Sequence, residues 1–271
     1  MTSAALSCCS PYGIVSTTPP LYIHSGVNRP DLLSLLDEEG ALGMVNVQVV
    51  RESRLQWAFQ RYAGVPLFLD SGFRRKMDVP SYVRLIESYG QRFRWIANLD
   101  HLFDQQTSDH NYRQITSQLG DASLRSKILW IYQGGKLADL KAHAREHPLI
   151  GIGGCVLRML RDGVEATLAW LMRIGEVLEG VGAKAHVFGV GNKPMLSRLR
   201  DQPWLASLDS SKWLIAYRAH VVLLPSGECI RATELSRREC AARNIRVIES
   251  WLRPSQDTES TALPHHSSSL F

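Results

Sequence analysis

Three aspartates follow short apolar runs: Asp70 in Leu67-Phe68-Leu69-Asp70-Ser71-Gly72, Asp100 in Asn98-Leu99-Asp100-His101, and Asp209 in Ser207-Leu208-Asp209-Ser210. A fourth run ends in Gln133-Gly134-Gly135 and a fifth in Gly153-Gly154. A lone Asp in such a place commonly caps the next helix. Three of them beside a carboxamide and paired glycines suggest chemistry. Carboxylates move protons, and one can attack the anomeric carbon of a sugar while another serves as acid or base. An Asp, a Gln amide and a backbone N–H also match the edge of a guanine-like base, and glycine lets the backbone approach it closely.

These residues act together only if the fold gathers them. Eight short, almost continuously apolar segments read as parallel strands buried on both faces: 21–24, 44–49, 67–70, 95–100, 128–133, 149–153, 186–189 and 205–209. Helical segments fit between them at 30–39, 80–89, 112–119, 137–146, 164–181 and 194–200, several with Pro near the first turn. The alternation predicts an α/β fold, a (β/α)8 TIM-type barrel, whose strand ends converge on one mouth. A doubly wound sheet would need a dinucleotide or phosphate loop. Gly151-Ile-Gly153-Gly154-Cys155-Val156 and Gly189-Val-Gly191-Asn192-Lys193-Pro194 both lack the third glycine. The expected organisation is a flexible segment at 1–18, a barrel at 19–252, and a Ser-, Thr-, Pro- and His-rich tail at 253–271.

Six stretches, in order from Leu67 to Trp213, resemble the tRNA-guanine transglycosylases. They are Leu67–Phe73, Asn98–Asp100, Tyr132–Gly135, Ile152–Gly154, Phe188–Gly191 and Ser207–Ser210. That resemblance implies exchange of a guanine in a nucleic acid for a 7-deazaguanine base, with no redox cofactor. Asp209 would then be the nucleophile of a covalent glycosyl intermediate and Asp70 the general acid/base. Ser71, Phe73, Asp100, Gln133, Gly134, Gly153 and Gly154 would bind the base, with Phe73 stacking on it. The first motif is one Gly short of the family's Asp-Ser-Gly-Gly-Phe-Gln, and Cys155-Val-Leu-Arg-Met replaces Leu-Ala-Val-Gly-Glu after Gly154. Cys229 and Cys240 have no third Cys near them, so the zinc module of the bacterial tRNA enzymes is not expected. Short length, that missing module and Asp209-Ser210-Ser211-Lys212-Trp213 lean toward the small relatives in phages and bacterial DNA-modification clusters. The expected partner is therefore DNA, with tRNA as the alternative, entered by base flipping or as a single strand. Lys212, Arg218, Arg74 and Arg75 are the backbone-contact candidates.

Composition bounds these readings. The chain has 271 residues, 45% of them apolar, and mean hydropathy is −0.12, which suits a globular protein with a sizeable core. No apolar run approaches a membrane span and Met1–Tyr12 lacks a signal-peptide pattern, so neither membrane nor secretion is expected. Lys and Arg number 31 against 26 acids, a net +5 with pI about 9.0, which permits a phosphate-bearing partner without demanding one. Five cysteines without a CxxC pair suit free thiols in the cytoplasm, and no metal or cofactor is expected. The pair His143 and His147 in His-Ala-Arg-Glu-His lacks the second-position Glu of the zinc-protease helix and reads as surface. His24 and His186 read as core. Two rivals share the carboxylates or the barrel: a glycoside hydrolase, and a non-catalytic nucleic-acid-binding accessory subunit. A homodimer or an accessory protein is compatible with the chain.

Overall fold

The short apolar runs pair side by side because neither face can stay in water. In the computed structural model, which describes residues 19–46, 56, 65–72 and 77–253, they form one parallel sheet. Its strands are β1 (Leu21–Val27), β2 (Leu42–Asn46), β3 (Leu67–Asp70), β4 (Phe93–Ala97), β5 (Ile128–Leu129), β6 (Ile131–Tyr132), β7 (Leu149–Ile152), β8 (Lys184–Val187) and β9 (Leu205–Ser210). The order is β5-β4-β3-β2-β1-β9-β8-β7-β6. The two edges are halves of one strand parted at Trp130. Ile128–Leu129 pair with β4 and Ile131–Tyr132 with β7, while the Trp130 carbonyl accepts the Gly151 N–H at 2.8 Å. The nine segments thus occupy eight strand positions and close a TIM-type barrel, as the alternation predicts.

Side-chain alternation splits the core in two. Ile23, Met44 and Phe68 form a small cluster with Leu42, Trp95 and Phe188 packed on it. Their neighbours Tyr22, Val45, Leu67 and Leu69 belong to a larger cluster shared with the helices. The period of two along each strand sends one set inward and the other outward.

Helices α1 (Pro30–Glu38), α2 (Val79–Tyr89), α3 (Gln105–Gln118), α4 (Ala122–Arg125), α5 (Leu137–Glu146), α6 (Cys155–Asp162), α7 (Val164–Glu179) and α8 (Lys193–Leu199) occupy the connections. Their starts follow local chemistry. Asp78 caps α2 through the Ser81 N–H, Asp104 caps α3 through Thr107, and Asn192 caps α8 through Met195. Helix α3 begins seven residues before the predicted 112 because Asp104 supplies a cap that the polar Gln105–His110 stretch concealed.

After β9 come α9 (Ile215–Ala219), an antiparallel hairpin β10 (Val221–Leu223) and β11 (Cys229–Arg231), and α10 (Arg237–Ser250). A Ser236/Glu239 capping box starts α10. This layer packs on β1 and α1: Trp213 Nε1 donates to the Ser25 carbonyl at 2.9 Å, and Arg238 reaches the Asp31 carbonyl at 3.0 Å. The segments 1–18 and 254–271 lie outside the described residues.

Candidate active site at the barrel mouth

Strands β2 and β3 run in register, with Asn46 opposite Asp70 at their last pair. Asn46 Nδ2 donates to Asp70 Oδ2 at 2.9 Å, and the Gly72 N–H donates to Oδ1 at 3.0 Å. Beyond β4 the chain carries Asp100, whose Oδ1 accepts the Ser71 hydroxyl at 3.1 Å and whose Oδ2 accepts the Gln133 amide. On β9, Asp209 Oδ1 accepts the Gly189 N–H at 2.8 Å and lies 3.5 Å from His186 Nε2. His186 Nδ1 is 2.9 Å from Ser207 Oγ, its register partner across β8 and β9.

Asn46, Asp70, Asp100 and Asp209 line one cavity of about 510 Å³. Gly153, Gly154, Cys155, Phe188 and Gly189 form much of its remaining wall. The size suits a small molecule. Among the described residues that line it, the only formally charged side chains at neutral pH are the three carboxylates. Two glycines shape the wall. Gly189 has φ +77°, a left-handed turn that aims its N–H at Asp209, and a Cβ there would lie 2.5 Å from Val156. At Gly153 a Cβ would meet the Gln133 amide at 2.2 Å.

Burial pushes the Asp70 carboxyl up to about 6, with the Asp209 charge adding to it, while the Gly72 N–H and the Asn46 amide oppose it. Burial also pushes Asp100 up to about 7, helped by the charge of Asp70 and opposed by Ser71 and Gln133. Two buried carboxyls thus titrate near neutrality inside one cavity. The Cys155 thiol, also in the wall, is pushed up to about 12 by burial and stays protonated.

The predicted site residues divide accordingly. Asp70, Asp100, Asp209, Gly153 and Gly154 meet in the cavity. Ser71 and Gln133 are buried and engage Asp100, so they position that carboxylate. Gly134 is exposed at φ +106°, with a Cβ position 2.8 Å from Arg158. The Lys212 ammonium lies 6.0 Å from the centre of the Trp251 ring. Phe73, Arg74 and Arg75 lie outside the described residues, and Arg218 is described in its backbone alone. His186 does not stop at the core, since one ring nitrogen faces Asp209. Asn46 and the Gly189 amide were not singled out from the sequence. A strand read as 44–49 put Asn46 mid-strand; β2 is described as far as Asn46, and 47–49 lie outside the described residues.

No family model and no curated protein matches the chain. Similar solved structures include a dipeptide epimerase from Methylococcus capsulatus, solved with Mg, and a putative isomerase from Sinorhizobium meliloti. The first is 15% identical over 79% of this chain and 62% of its own, with TM-score 0.48. The second is 10% identical over 70% of this chain and 50% of its own, with TM-score 0.50. The chain spans between half and about three-fifths of the length of these neighbours.

No family model supports the expected membership in the tRNA-guanine transglycosylases, and the similar solved structures named above are of other proteins, so that membership and the base-exchange reaction drawn from it are not upheld. The DNA-modification and 7-deazaguanine roles fall with that membership. The physical reason lies in the motifs. Five of the six are an apolar strand ending on Asp, Gln or a glycine pair, and such junctions recur in parallel barrels with different chemistry. Gln133, expected to read a purine edge, is 2% exposed and donates to Asp100.

At these identities, likeness establishes the barrel alone.

Proposed function

We propose that the chain is an enzyme that moves protons on a small substrate bound at the barrel mouth, with Asp70 as general base and Asp209 as the second carboxylate of the reaction. The observation that carries this reading is the convergence of three aspartates from three strand ends on one cavity, each held by its own donors. A base works best with its pKa near the working pH, and burial brings Asp70 to about 6. Asn46 and the Gly72 N–H fix the carboxyl in place, so an incoming C–H, O–H or N–H meets an oriented acceptor. The charge of Asp209 in the same cavity adds to the proton affinity of Asp70, while Ser71 and Gln133 hold Asp100 beside it.

The lining also sets the substrate class. Among the described residues the lining holds three carboxylates and no Lys or Arg, which favours a cationic molecule or one rich in hydrogen-bond donors, and Phe188, Val156 and Leu157 give it an apolar flank. An amine-bearing or polyhydroxylated small molecule fits this description.

The test is isotope uptake. The protein is incubated in D2O with pools of small amines and polyols, and mass spectrometry scores deuterium gain or conversion. Uptake or turnover in one class, lost in Asp70→Asn and in Asp209→Asn, supports the reading. Turnover that persists in Asp70→Asn overturns the assignment of the base.

A further inference from the structure

Away from the barrel mouth, the end of α5 carries a second group of chemistry-bearing side chains. His143, Glu146 and His147 follow the spacing His-x-x-Glu-His, and one helical turn places all three on the same side. Each offers a ligand atom, and these atoms lie within 4.8 Å of one another. On a tetrahedral Zn²⁺ with bonds of about 2.0–2.1 Å, donors sit roughly 3.3 Å apart, so modest side-chain rotation closes the gap.

We infer that the C-terminal turn of α5 is a divalent transition-metal site of the zinc class, with His143, His147 and Glu146 as ligands. Two imidazoles and a carboxylate are the donors that borderline cations prefer. His143 Nδ1 is buried and makes no hydrogen bond within the described residues, a costly state for a ring nitrogen. The ring is locked in place: it stacks on Trp130 at 4.1 Å and 15°, and Trp130 Nε1 donates to Asp109 at 2.7 Å. The His147 ring lies nearly parallel to that of His143, at 6.2 Å and 14°, and its Nε2 is 3.5 Å from the Tyr112 hydroxyl on α3. The two rings are thus set side by side, as a chelating pair requires.

The backbone adds to this. The His147 N–H closes the last turn on the His143 carbonyl at 2.9 Å, so the site lies at the negative end of the helix dipole, which favours a cation. Glu146 is exposed and the histidines are half-buried, which leaves a path for an ion from solvent. A bound ion would join α5 to α3 through Tyr112.

The test uses the full chain stripped with a chelator, in a His265→Ala/His266→Ala background that removes the histidine pair of the C-terminal tail. Zinc is titrated by calorimetry, Co²⁺ by its visible absorption, and melting is followed with and without zinc. The expected result is one ion per chain, a tetrahedral Co²⁺ spectrum and a higher Tm with zinc. All three are lost in His143→Phe, which keeps a ring on Trp130, and in His147→Ala, which removes the half-buried ring beside Tyr112. Absence of binding, binding that survives both variants, or binding found only when the tail histidines are present overturns the site. None of these readouts depends on the reaction at the barrel mouth.

Discussion

Asn244, buried in the layer beyond β9, and Asp100, half-buried at the barrel mouth, are polar groups treated in opposite ways. Asn244 is fully buried. Its Oδ1 accepts the Leu223 N–H at 2.7 Å, and its Nδ2 donates to the Val221 carbonyl at 3.1 Å and more weakly to that of Trp213 at 3.4 Å. That amide ties the hairpin to the end of the barrel and is spent on backbone. Asp100 is satisfied by side chains yet keeps a carboxyl raised to about 7 beside another raised to about 6. A layer built for stability satisfies its polar groups and leaves them neutral. A layer built for chemistry retains acids that burial opposes.

Variants can break this contrast. The largest effect is expected at Asp70: replacing it by Asn removes the base, and turnover falls about a hundredfold or more, measured on the substrate found by isotope uptake. Next comes Asn244→Ala, which orphans a buried N–H and a buried carbonyl and costs about 2–3 kcal/mol in urea unfolding, with chemistry at the mouth unchanged.

The acids at the mouth sharpen the comparison through pH. A carboxyl raised on folding binds more protons in the folded than in the unfolded state between about pH 4 and its folded value of about 7. Its contribution to stability therefore declines as pH rises through that window. Asp100→Asn removes the titration, so the variant gains on the wild type by on the order of 4 kcal/mol from pH 4 to pH 8. Equal pH slopes for the two proteins would show that burial does not hold this acid neutral. Asn46→Ala removes a donor that favours the charged form of Asp70, and the pH–rate inflection near 6 moves upward. The smallest change is expected at Leu160, 79% exposed on α6, where Leu160→Ser shifts stability by less than about 0.5 kcal/mol.

Much of this architecture was legible in the chain. The run Leu67–Asp70 is apolar on both faces and matches β3 residue for residue, and Leu137–Glu146 matches α5. Such segments declare themselves because burial on two faces, or on one helical face, leaves a local pattern. The closing layer was not read. In α10 the buried set includes Cys240, Ala241, Ala242 and Asn244, small or polar residues that give little hydrophobic periodicity. Helix α6 was taken as part of a motif because Gly154, at φ +74°, hides its start.

The family resemblance failed for a related reason. Short strings such as Asn-Leu-Asp or Gly-Gly report a strand meeting a loop, and that junction recurs in barrels with different chemistry. The cluster at the end of α5 shows the reverse case. His143 and His147 read as surface residues because the expected Glu position was empty, yet Glu146, one residue before His147, offers a third donor on the same side.

The sequence by itself determined the barrel, since strand period, strand length and intervening helices are local consequences of burial. It also located Asp70, Asp100 and Asp209 at strand ends, because polar residues there interrupt an apolar run. Only the tertiary structure decided their work. Asn46 meets Asp70 through the register of two strands, Gln133 serves Asp100 from the neighbouring strand position, and the Gly189 N–H reaches Asp209 through a left-handed turn. Those pairings join residues distant in the chain, and burial, which raises the proton affinity of Asp70 and Asp100, exists only once the mouth is assembled.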